Sequence, residues 1–229
     1  SNQVTINPPL GQKLPFDIEK DFAPVALIAS VPMLLAVHPS VKAVNLAEFI
    51  AEAKATPAKF NHSTPGTGTP QHLAFEVLNY MAGIRVTHVP YKGTGPAIAD
   101  LLGGQVQAAF ATLASIEQHV KAGKVRALAV ATPKRSQAMP AVPSVAETLP
   151  GYDVALWYSI LAPAGTPPDV VARLSGELGK VMALPEIRER LVTQGFEPGH
   201  AGPAELGDTI RRDLAKWQKF IRDTGLKVD

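Results

Sequence analysis

The sequence contains no cysteine, which excludes disulfide bonds, thiolate nucleophiles and cysteine-ligated zinc sites. Charge is also scarce, because only 18% of the 229 residues are Asp, Glu, Lys or Arg and the formal net charge is +2. The basic runs are short, so we do not expect the protein to bind nucleic acid. Hydrophobic residues make up 46% of the chain, which is enough to fill a substantial core and indicates a globular protein.

One segment has the length of a membrane helix. No Asp, Glu, Lys or Arg occurs from Phe22 to Val41, a stretch close to the ~20 residues that a transmembrane helix needs. Pro24, Pro32 and Pro39 interrupt this segment at regular intervals. Because proline breaks helices, the pattern favours short strands over a membrane span.

Helical and strand patterns alternate after Pro39. Asn45 and Glu48 have the spacing of a capping box before the apolar face of a helix over residues 46–55. Short strands and capped helices continue to alternate as far as residue 131. This alternation predicts βαβ units and a parallel sheet.

The chain after residue 131 has a different pattern. A proline-rich passage leads to an apolar strand over residues 154–162, after which only helices are predicted. The apolar stripes of two of these helices are Val170, Val171, Leu174, Leu178 and Val181, and Leu206, Ile210, Leu214, Trp217 and Ile221. Because such helices need a sheet to cover, we predict that residues 1–35 and 132–229 form a first lobe and that residues 36–131 form a second lobe.

Three predicted strand-to-helix turns, at 63–72, 90–97 and 111–118, are rich in small and hydroxyl-bearing residues. Turns of this kind open on one edge of a parallel sheet, where α/β sheets bind their ligands. Glycine allows close approach to the backbone, and the N–H groups of a helix start attract anions. Gly, Thr and Pro are also ordinary turn residues, but three such turns on one edge favour a pocket for an anion.

The alternatives that involve catalysis or a metal have weaker support in the sequence. His72 and Glu76 are four residues apart on a predicted helix, but no third metal ligand is evident, and a capping or surface role for His72 is favoured over metal binding. Ser63, His88 and Asp100 could form a triad, yet no GxSxG motif surrounds any serine. We therefore predict a binding protein without cofactor or metal rather than an enzyme.

Six motifs occur in a specific order along the chain. They are FAPVALIASVP (22–32), STPGTGTPQHL (63–73), HVPYKGTGPA (88–97), DLLGGQV (100–106), GKVRALAV (123–130) and LAPAGTP (161–167). Together they resemble the Bug family, the periplasmic solute-binding receptors of tripartite tricarboxylate transporters. The similarity extends over essentially the whole chain.

The resemblance implies an α/β, type II periplasmic-binding-protein-like fold, in which two lobes joined by crossing strands close on a small carboxylate. It also implies a periplasmic location and the membrane subunits of a transporter as partners. With the turn residues above, it predicts the ligand-binding residues Ser63, Thr64, Gly66, Thr67, Gly68, Thr69, His72, Lys92, Gly93, Thr112 and Tyr158. Of the neighbouring Trp157 and Tyr158, one is expected to face the ligand and the other the core, and packing is the prediction for Trp157.

Two departures from the family pattern modify these expectations. Ala111 and Thr112 in FATLAS stand where the family usually has an acidic or amide residue, which argues against amine-bearing ligands. The sequence also begins late relative to the family, so we expect a first lobe that lacks its opening strands and a chain that self-associates. The effector domain of a LysR-type regulator, which shares the two-lobe architecture, is the alternative function.

Overall fold

The computed structural model describes residues 3–11, 14–57 and 59–226, and the chain folds as two compact units. The terminal unit comprises Ser1–Val31 and Leu156–Asp229, and the central unit comprises Pro32–Ala155. The chain passes from one unit to the other at Val31–Pro32 and returns at Ala155–Leu156.

Helices and strands alternate along most of the chain. The helices are α1 (Gln3–Ile6), α2 (Leu46–Ala55), α3 (Pro70–Ala82), α4 (Thr94–Leu102), α5 (Leu113–Lys121), α6 (Val145–Thr148), α7 (Pro168–Ala183), α8 (Pro185–Thr193) and α9 (Pro203–Thr224). The strands are β1 (Phe22–Val31), β2 (Met33–Val37), β3 (Asn61–Thr64), β4 (Thr87–Pro90), β5 (Ala108–Thr112), β6 (Arg126–Val130), β7 (Leu156–Pro163) and β8 (Glu197–Ala201).

The terminal unit contains a three-stranded sheet in the order β7-β1-β8, with β1 antiparallel to both neighbours. The sequence predicted no strand after β7, and β8 shows that this prediction was wrong. Its sequence, EPGHA, lacks the alternating apolar pattern of a strand. The strand forms because its backbone pairs with part of β1, a long-range contact that a local pattern does not reveal.

The apolar stripe of α9 is buried against the sheet of the terminal unit. Its buried members are Leu206, Ile210, Leu214 and Trp217, as the sequence predicted. The first three pack in one cluster with Trp157 of β7 and with Ile18. This cluster attaches α9 to the sheet and gives Trp157 the packing role that was predicted for it.

The stripe predicted for α7 is buried only in part. Val171 is buried in a cluster with Val25 of β1. Val170, Leu174 and Val181 are instead exposed, at 42%, 45% and 43%. A period of 3.6 residues identifies the helix correctly, but it does not determine how wide a stripe the neighbouring elements cover.

The central unit contains a five-stranded sheet in the order β4-β3-β5-β2-β6. β3 is parallel to β4 and β5, whereas β2 is antiparallel to both β5 and β6. The predicted parallel sheet is therefore mixed, with β2 as its reversed strand. β2 follows β1 after the single residue Pro32 and not after a crossover helix, so the βαβ rule does not fix its direction.

The boundaries of the two units differ from the predicted lobes, because residues 32–35 and 132–155 lie in the central unit. Val130 of β6 forms an isolated bridge with Ser144. The Tyr152 hydroxyl donates to the carbonyl of Ala74 at 2.8 Å, and Tyr152 is only 1% exposed. These contacts hold the proline-rich passage on the central sheet, where proline content alone had indicated a boundary.

The uncharged segment from Phe22 to Val41 forms β1 and β2, as the proline spacing predicted. The strands change from one unit to the other at Pro32. None of the helices in the described part of the chain has the length and hydropathy required to cross a membrane.

Candidate ligand-binding site

The carboxyl ends of three parallel strands lie side by side in the central unit. β3 lies between β4 and β5 and is parallel to both. β3 and β4 lead through short turns into α3 and α4, and β5 continues directly into α5. The turns that the sequence singled out therefore share one edge of the sheet, which is where α/β sheets bind ligands.

Hydrogen bonds within the turn between β3 and α3 give it a defined shape. The Gly66 carbonyl accepts from the Thr69 hydroxyl at 2.7 Å and from the Thr64 hydroxyl at 3.1 Å. The backbone N–H of Gly68 donates to Nδ1 of His72 at 3.2 Å. Gly66 and Gly68 have φ values of 153° and 76°, a region that favours glycine. The glycines of this turn are therefore required by its backbone.

The turn between β4 and α4 is bonded directly to the β3–α3 turn. The N–H of Tyr91 donates to the Thr64 carbonyl, and the N–H of Gly93 donates to the Pro65 carbonyl, both at 3.0 Å. The Tyr91 hydroxyl donates to Oδ2 of Asp100 at 2.6 Å. Burial, followed by this bond, raises the pKa of Tyr91 to about 12, so the hydroxyl remains a donor at neutral pH. The two turns thus form one continuous surface.

The first turns of α4 and α5 present backbone N–H groups at this edge. α4 begins after Gly93, which has a φ of 114° and provides no side-chain cap. The N–H groups of Thr94 and Gly95 make no hydrogen bond to any residue in the described ranges. α5 begins after Thr112, whose side chain also makes no capping bond. Such N–H groups attract an anion by ~0.3–1 kcal/mol at exposed positions.

Several hydroxyl groups that the sequence assigned to the ligand have partners inside the unit. Ser63 is 1% exposed and donates to the carbonyl of Ala97 at 2.9 Å. The hydroxyls of Thr64 and Thr69 donate to the Gly66 carbonyl. Because a hydroxyl has a single hydrogen, none of the three can donate a hydrogen bond to a carboxylate in this conformation. Direct contact of these three hydroxyls with a ligand remains a prediction. It requires each hydroxyl to exchange its present acceptor for the ligand.

The remaining predicted residues occupy different environments. Thr67 and Lys92 are exposed on the β3–α3 and β4–α4 turns. Thr112 is half-buried, and its hydroxyl lies 3.0 Å from that of Ser115. Tyr158 lies on β7 in the terminal unit, half-buried, with its ring centre 5.7 Å from that of Phe196. The site in the central unit is therefore built from backbone groups and from the exposed side chains of Thr67 and Lys92.

Three histidine rings stack beside the β3–α3 turn. The ring centres of His72 and His88 are 3.9 Å apart, and those of His62 and His88 are 5.1 Å apart. His62 also stacks on Phe75 at 3.9 Å. Oε1 of Glu76 lies 3.8 Å from Nε2 of His72 and 3.9 Å from Nε2 of His62, which is too far for a hydrogen bond.

Burial keeps these histidines neutral at physiological pH. It lowers the pKa of His62 to about 3, and both ring nitrogens of His62 lack a hydrogen-bond partner in the described part of the chain. Burial, followed by the neighbouring His88, lowers the pKa of His72 to about 4. Burial, followed by the neighbouring His62, lowers the pKa of His88 to about 4. Glu76 therefore faces uncharged rings and forms no salt bridge with them at neutral pH.

The residues considered for catalysis or metal binding have other partners. Ser63 bonds to Ala97, His88 lies next to Thr64, and Asp100 accepts from Tyr91. Within the described residues no group of three or more His, Asp or Glu side chains is arranged to hold a metal ion. Of the two non-metal roles considered for His72, the surface position is excluded because the side chain is buried, and its Nδ1 instead accepts the N–H of Gly68 just before α3.

The sequence did not reveal that His62, His72 and His88 form one cluster. His62 and His88 are register partners in the parallel pair of β3 and β4, and His72 follows one turn into α3. The sequence also did not reveal the hydrogen bond between Tyr91 and Asp100. The two residues are nine positions apart, one on the turn before α4 and the other within α4. Only the pairing register of the strands could have identified the cluster, and no local motif encodes it.

The fold is shared with periplasmic solute-binding receptors, as comparisons with known proteins show. A sequence profile described as the tripartite tricarboxylate transporter family receptor, TctC, matches residues 1–226. The chain belongs to this family, which confirms the resemblance found in the sequence.

Curated relatives support the same assignment. The chain is 32% identical over 216 residues to the protein BugT of Bordetella pertussis, which covers 94% of this chain and 66% of the relative. It is 35% identical over 219 residues to the UPF0065 protein in the tcbD-tcbE intergenic region of Pseudomonas sp. strain P51, covering 95% of this chain and 65% of that relative. The chain thus spans about two thirds of the length of these relatives.

Solved structures of similar proteins share the fold over nearly the whole chain. A structure titled as R. palustris Rpa4515 with adipate has a TM-score of 0.85 and 31% identity, covering 99% of this chain and 76% of the other. The periplasmic binding protein BugD has a TM-score of 0.82 and 29% identity, covering 98% of this chain and 76% of the other. MatC from Rhodopseudomonas palustris with bound malate has a TM-score of 0.77 and 29% identity, covering 95% and 74%.

Proposed function

We propose that this chain is the ligand-binding part of a periplasmic receptor that captures a small carboxylate, without cofactor or catalysis, for a tripartite tricarboxylate-type transporter. The family name supports the transporter as partner, and the neighbours solved with adipate and malate support a carboxylate ligand. The observation that carries the proposal is the continuous surface formed by the β3–α3 and β4–α4 turns at the carboxyl edge of the central sheet.

This surface has the chemistry that a carboxylate needs. The N–H groups of Thr94 and Gly95 lie at the start of α4, next to the exposed Lys92 on the same turn. Positive φ at Gly93 and the absence of a side chain there let a ligand approach the backbone closely. A carboxylate is an acceptor with two oxygens, so it can bond several N–H groups at once.

Calorimetry with matched ligands tests the proposal. Adipate and malate are titrated into the protein, with adipamide as the neutral analogue of adipate. We expect stoichiometric binding of at least one dicarboxylate, no binding of the diamide, and recovery of the ligand unchanged after prolonged incubation. The proposal would be overturned if no carboxylate bound, if adipamide bound as tightly as adipate, or if the ligand were converted into a product.

A further inference from the structure

His72 holds the β3–α3 turn from the first turn of α3. Its Nδ1 accepts the backbone N–H of Gly68 at 3.2 Å, and its side chain is 4% exposed. His88 stacks on one face of this ring, with the ring centres 3.9 Å apart, and so restricts its orientation. Since Nδ1 must accept, the neutral ring carries its proton on Nε2.

His88 holds the beginning of the same turn. Its Nε2 lies 2.7 Å from the hydroxyl oxygen of Thr64. The Thr64 hydroxyl donates its hydrogen to the Gly66 carbonyl, and its oxygen accepts the Gly66 N–H at 3.3 Å. All these bonds are satisfied together when Nε2–H of His88 donates to Thr64. The two histidines therefore hold the turn at both ends.

We propose that His72 and His88 are positioning residues for the β3–α3 turn, and that the turn keeps its binding shape only while the His72 ring is neutral. His72 has the proton-sensitive contact, because a second proton on Nδ1 would face the Gly68 N–H and remove the acceptor. His88 acts as a donor in this arrangement, so a second proton leaves its bond to Thr64 intact. The identity of the ligand in this inference rests on the proposed function. The way in which the two histidines hold the turn does not depend on it.

The surroundings of His72 keep it neutral at physiological pH. The titratable groups that face it are His62 on β3, His88 on β4 and Glu76 on α3, and Tyr152 bonds to the α3 backbone. Burial is the largest influence on the pKa of His72 and lowers it to about 4, whereas Glu76 acts in the opposite direction. We therefore expect the turn to lose its shape as the pH falls below about 5, within a unit above that pKa.

A ligand-free measurement tests the positioning role independently of the proposed function. Nitrogen-15 NMR of the histidine rings should show His72 with Nδ1 unprotonated at pH 7, and the Gly68 amide should shift together with His72 as the pH is lowered from 6 to 4. A His72 ring protonated on Nδ1 at pH 7, or a Gly68 amide that does not follow the titration of His72, would overturn the inference. Neither outcome depends on any ligand.

Binding of adipate or malate to two His72 variants tests the consequence for the site. His72→Asn keeps an acceptor near the position of Nδ1 but cannot be protonated, whereas His72→Phe keeps the stacked ring and loses the acceptor. At pH 7 we expect His72→Phe to bind about tenfold more weakly and His72→Asn to bind nearly as well as the parent. His119→Asn on α5, outside the cluster, is the matched control.

The pH profile distinguishes positioning from a general loss of folding. Between pH 6 and pH 3.5, a range that spans the lowered pKa of His72, the affinity of the parent should fall more steeply than that of His72→Asn. Titration of the ligand itself affects both proteins equally. Equal binding by His72→Phe and the parent, equal damage in His72→Asn and His72→Phe, or identical pH profiles for the parent and His72→Asn would contradict the proposal.

Discussion

The indole Nε1 of Trp157 donates a hydrogen bond to Oδ2 of Asp213 at 3.2 Å, and both side chains are buried in the terminal unit. The same carboxylate oxygen accepts from the hydroxyl of Thr5 at 2.9 Å. Nζ of Lys216 lies 2.7 Å from the other carboxylate oxygen. Asp213 therefore joins α9 to β7 and α1 through one buried polar group.

Replacement of this carboxylate should destabilise the terminal unit. Asp213→Ala removes the carboxylate that accepts from the indole N–H of Trp157 and from the Thr5 hydroxyl, so we expect the free energy of unfolding to fall by about 2–4 kcal/mol. Asp223→Ala, at an exposed position on the same helix, should change it by less than about 0.5 kcal/mol. Urea unfolding of both variants measures the difference, and equal unfolding midpoints would mean that the buried network contributes nothing.

His62 should be replaceable with a gain in stability. Its side chain is fully buried, and both nitrogens lack a hydrogen-bond partner among the described residues. His62→Phe preserves the planar ring stacked on Phe75 and removes the two unsatisfied nitrogens. We expect an increase of about 1 kcal/mol in the free energy of unfolding at pH 7, measured by urea denaturation with His119→Phe as control. A marked loss of stability would show instead that the pocket fits an imidazole and that Phe is too large.

The β3–α3 turn should act through its backbone. Gly68 has a φ of 76°, a conformation that valine adopts only with strain. Gly68→Val should therefore weaken carboxylate binding by about tenfold or more, whereas Thr67→Ser at the neighbouring exposed position should change it by less than about twofold. Calorimetry with the best ligand of the panel compares the two, and undiminished affinity in Gly68→Val would exclude this turn from the site.

The start of α5 predicts a preference between two similar ligands. Ala111 is buried and Thr112 is half-buried with its hydroxyl next to Ser115, so this turn offers no carboxylate to pair with an ammonium group. Malate and aspartate differ only by a hydroxyl in place of the amino group. We expect malate to bind at least tenfold more tightly than aspartate, because an unpaired ammonium loses hydration. Thr112→Asp should reduce the difference in affinity between malate and aspartate. A parent protein that binds aspartate more tightly than malate would contradict the placement of the start of α5 at the ligand.

The sequence predicts those parts of the fold that depend on local signals. The Asn45–Glu48 capping box precedes α2, and the apolar stripe of α9 is buried. Each of these features follows from side chains within a few residues of one another. The three small-residue turns also follow, because strand–helix alternation alone brings them to one edge.

The features that the sequence did not predict depend on pairing between distant segments. β8 forms because its backbone pairs with β1, and Ser144 forms a bridge with Val130 of the central sheet. The contact of His62 with His88 depends on the register of β3 and β4, which no local pattern reports. The hydroxyl of Ser63 illustrates the same limit at the site, since its partner Ala97 lies 34 residues away and changes what Ser63 can donate.

The histidine cluster should make the stability of the protein sensitive to mild acid. The pKa of an unfolded histidine is about 6.5, whereas burial lowers the pKa of His62 to about 3 and that of His72 to about 4. Between these values the unfolded chain binds more protons than the folded protein, so the free energy of unfolding falls as the pH falls. Each of the two buried rings should contribute up to about 1.4 kcal/mol per pH unit over this window, and the half-buried His88, whose pKa is also lowered to about 4, adds to the same dependence.

Urea unfolding midpoints at intervals from pH 8 to pH 4.5 measure this dependence. The stability supplied by the neutral rings is fully present above pH 6.5 and should decrease steadily towards pH 4.5, because the folded rings take up protons only near pH 3 to 4. The double variant His62→Phe and His72→Asn removes the two buried rings and keeps only His88, so its profile should be clearly flatter over the same range. The exposed Glu147, whose pKa is lowered to about 2 mainly by its bond to Arg135, acts below this window. A parent protein with the same midpoint at pH 7 and pH 4.5, or a double variant that declines as steeply as the parent, would show that the rings are already charged or solvated in the folded protein.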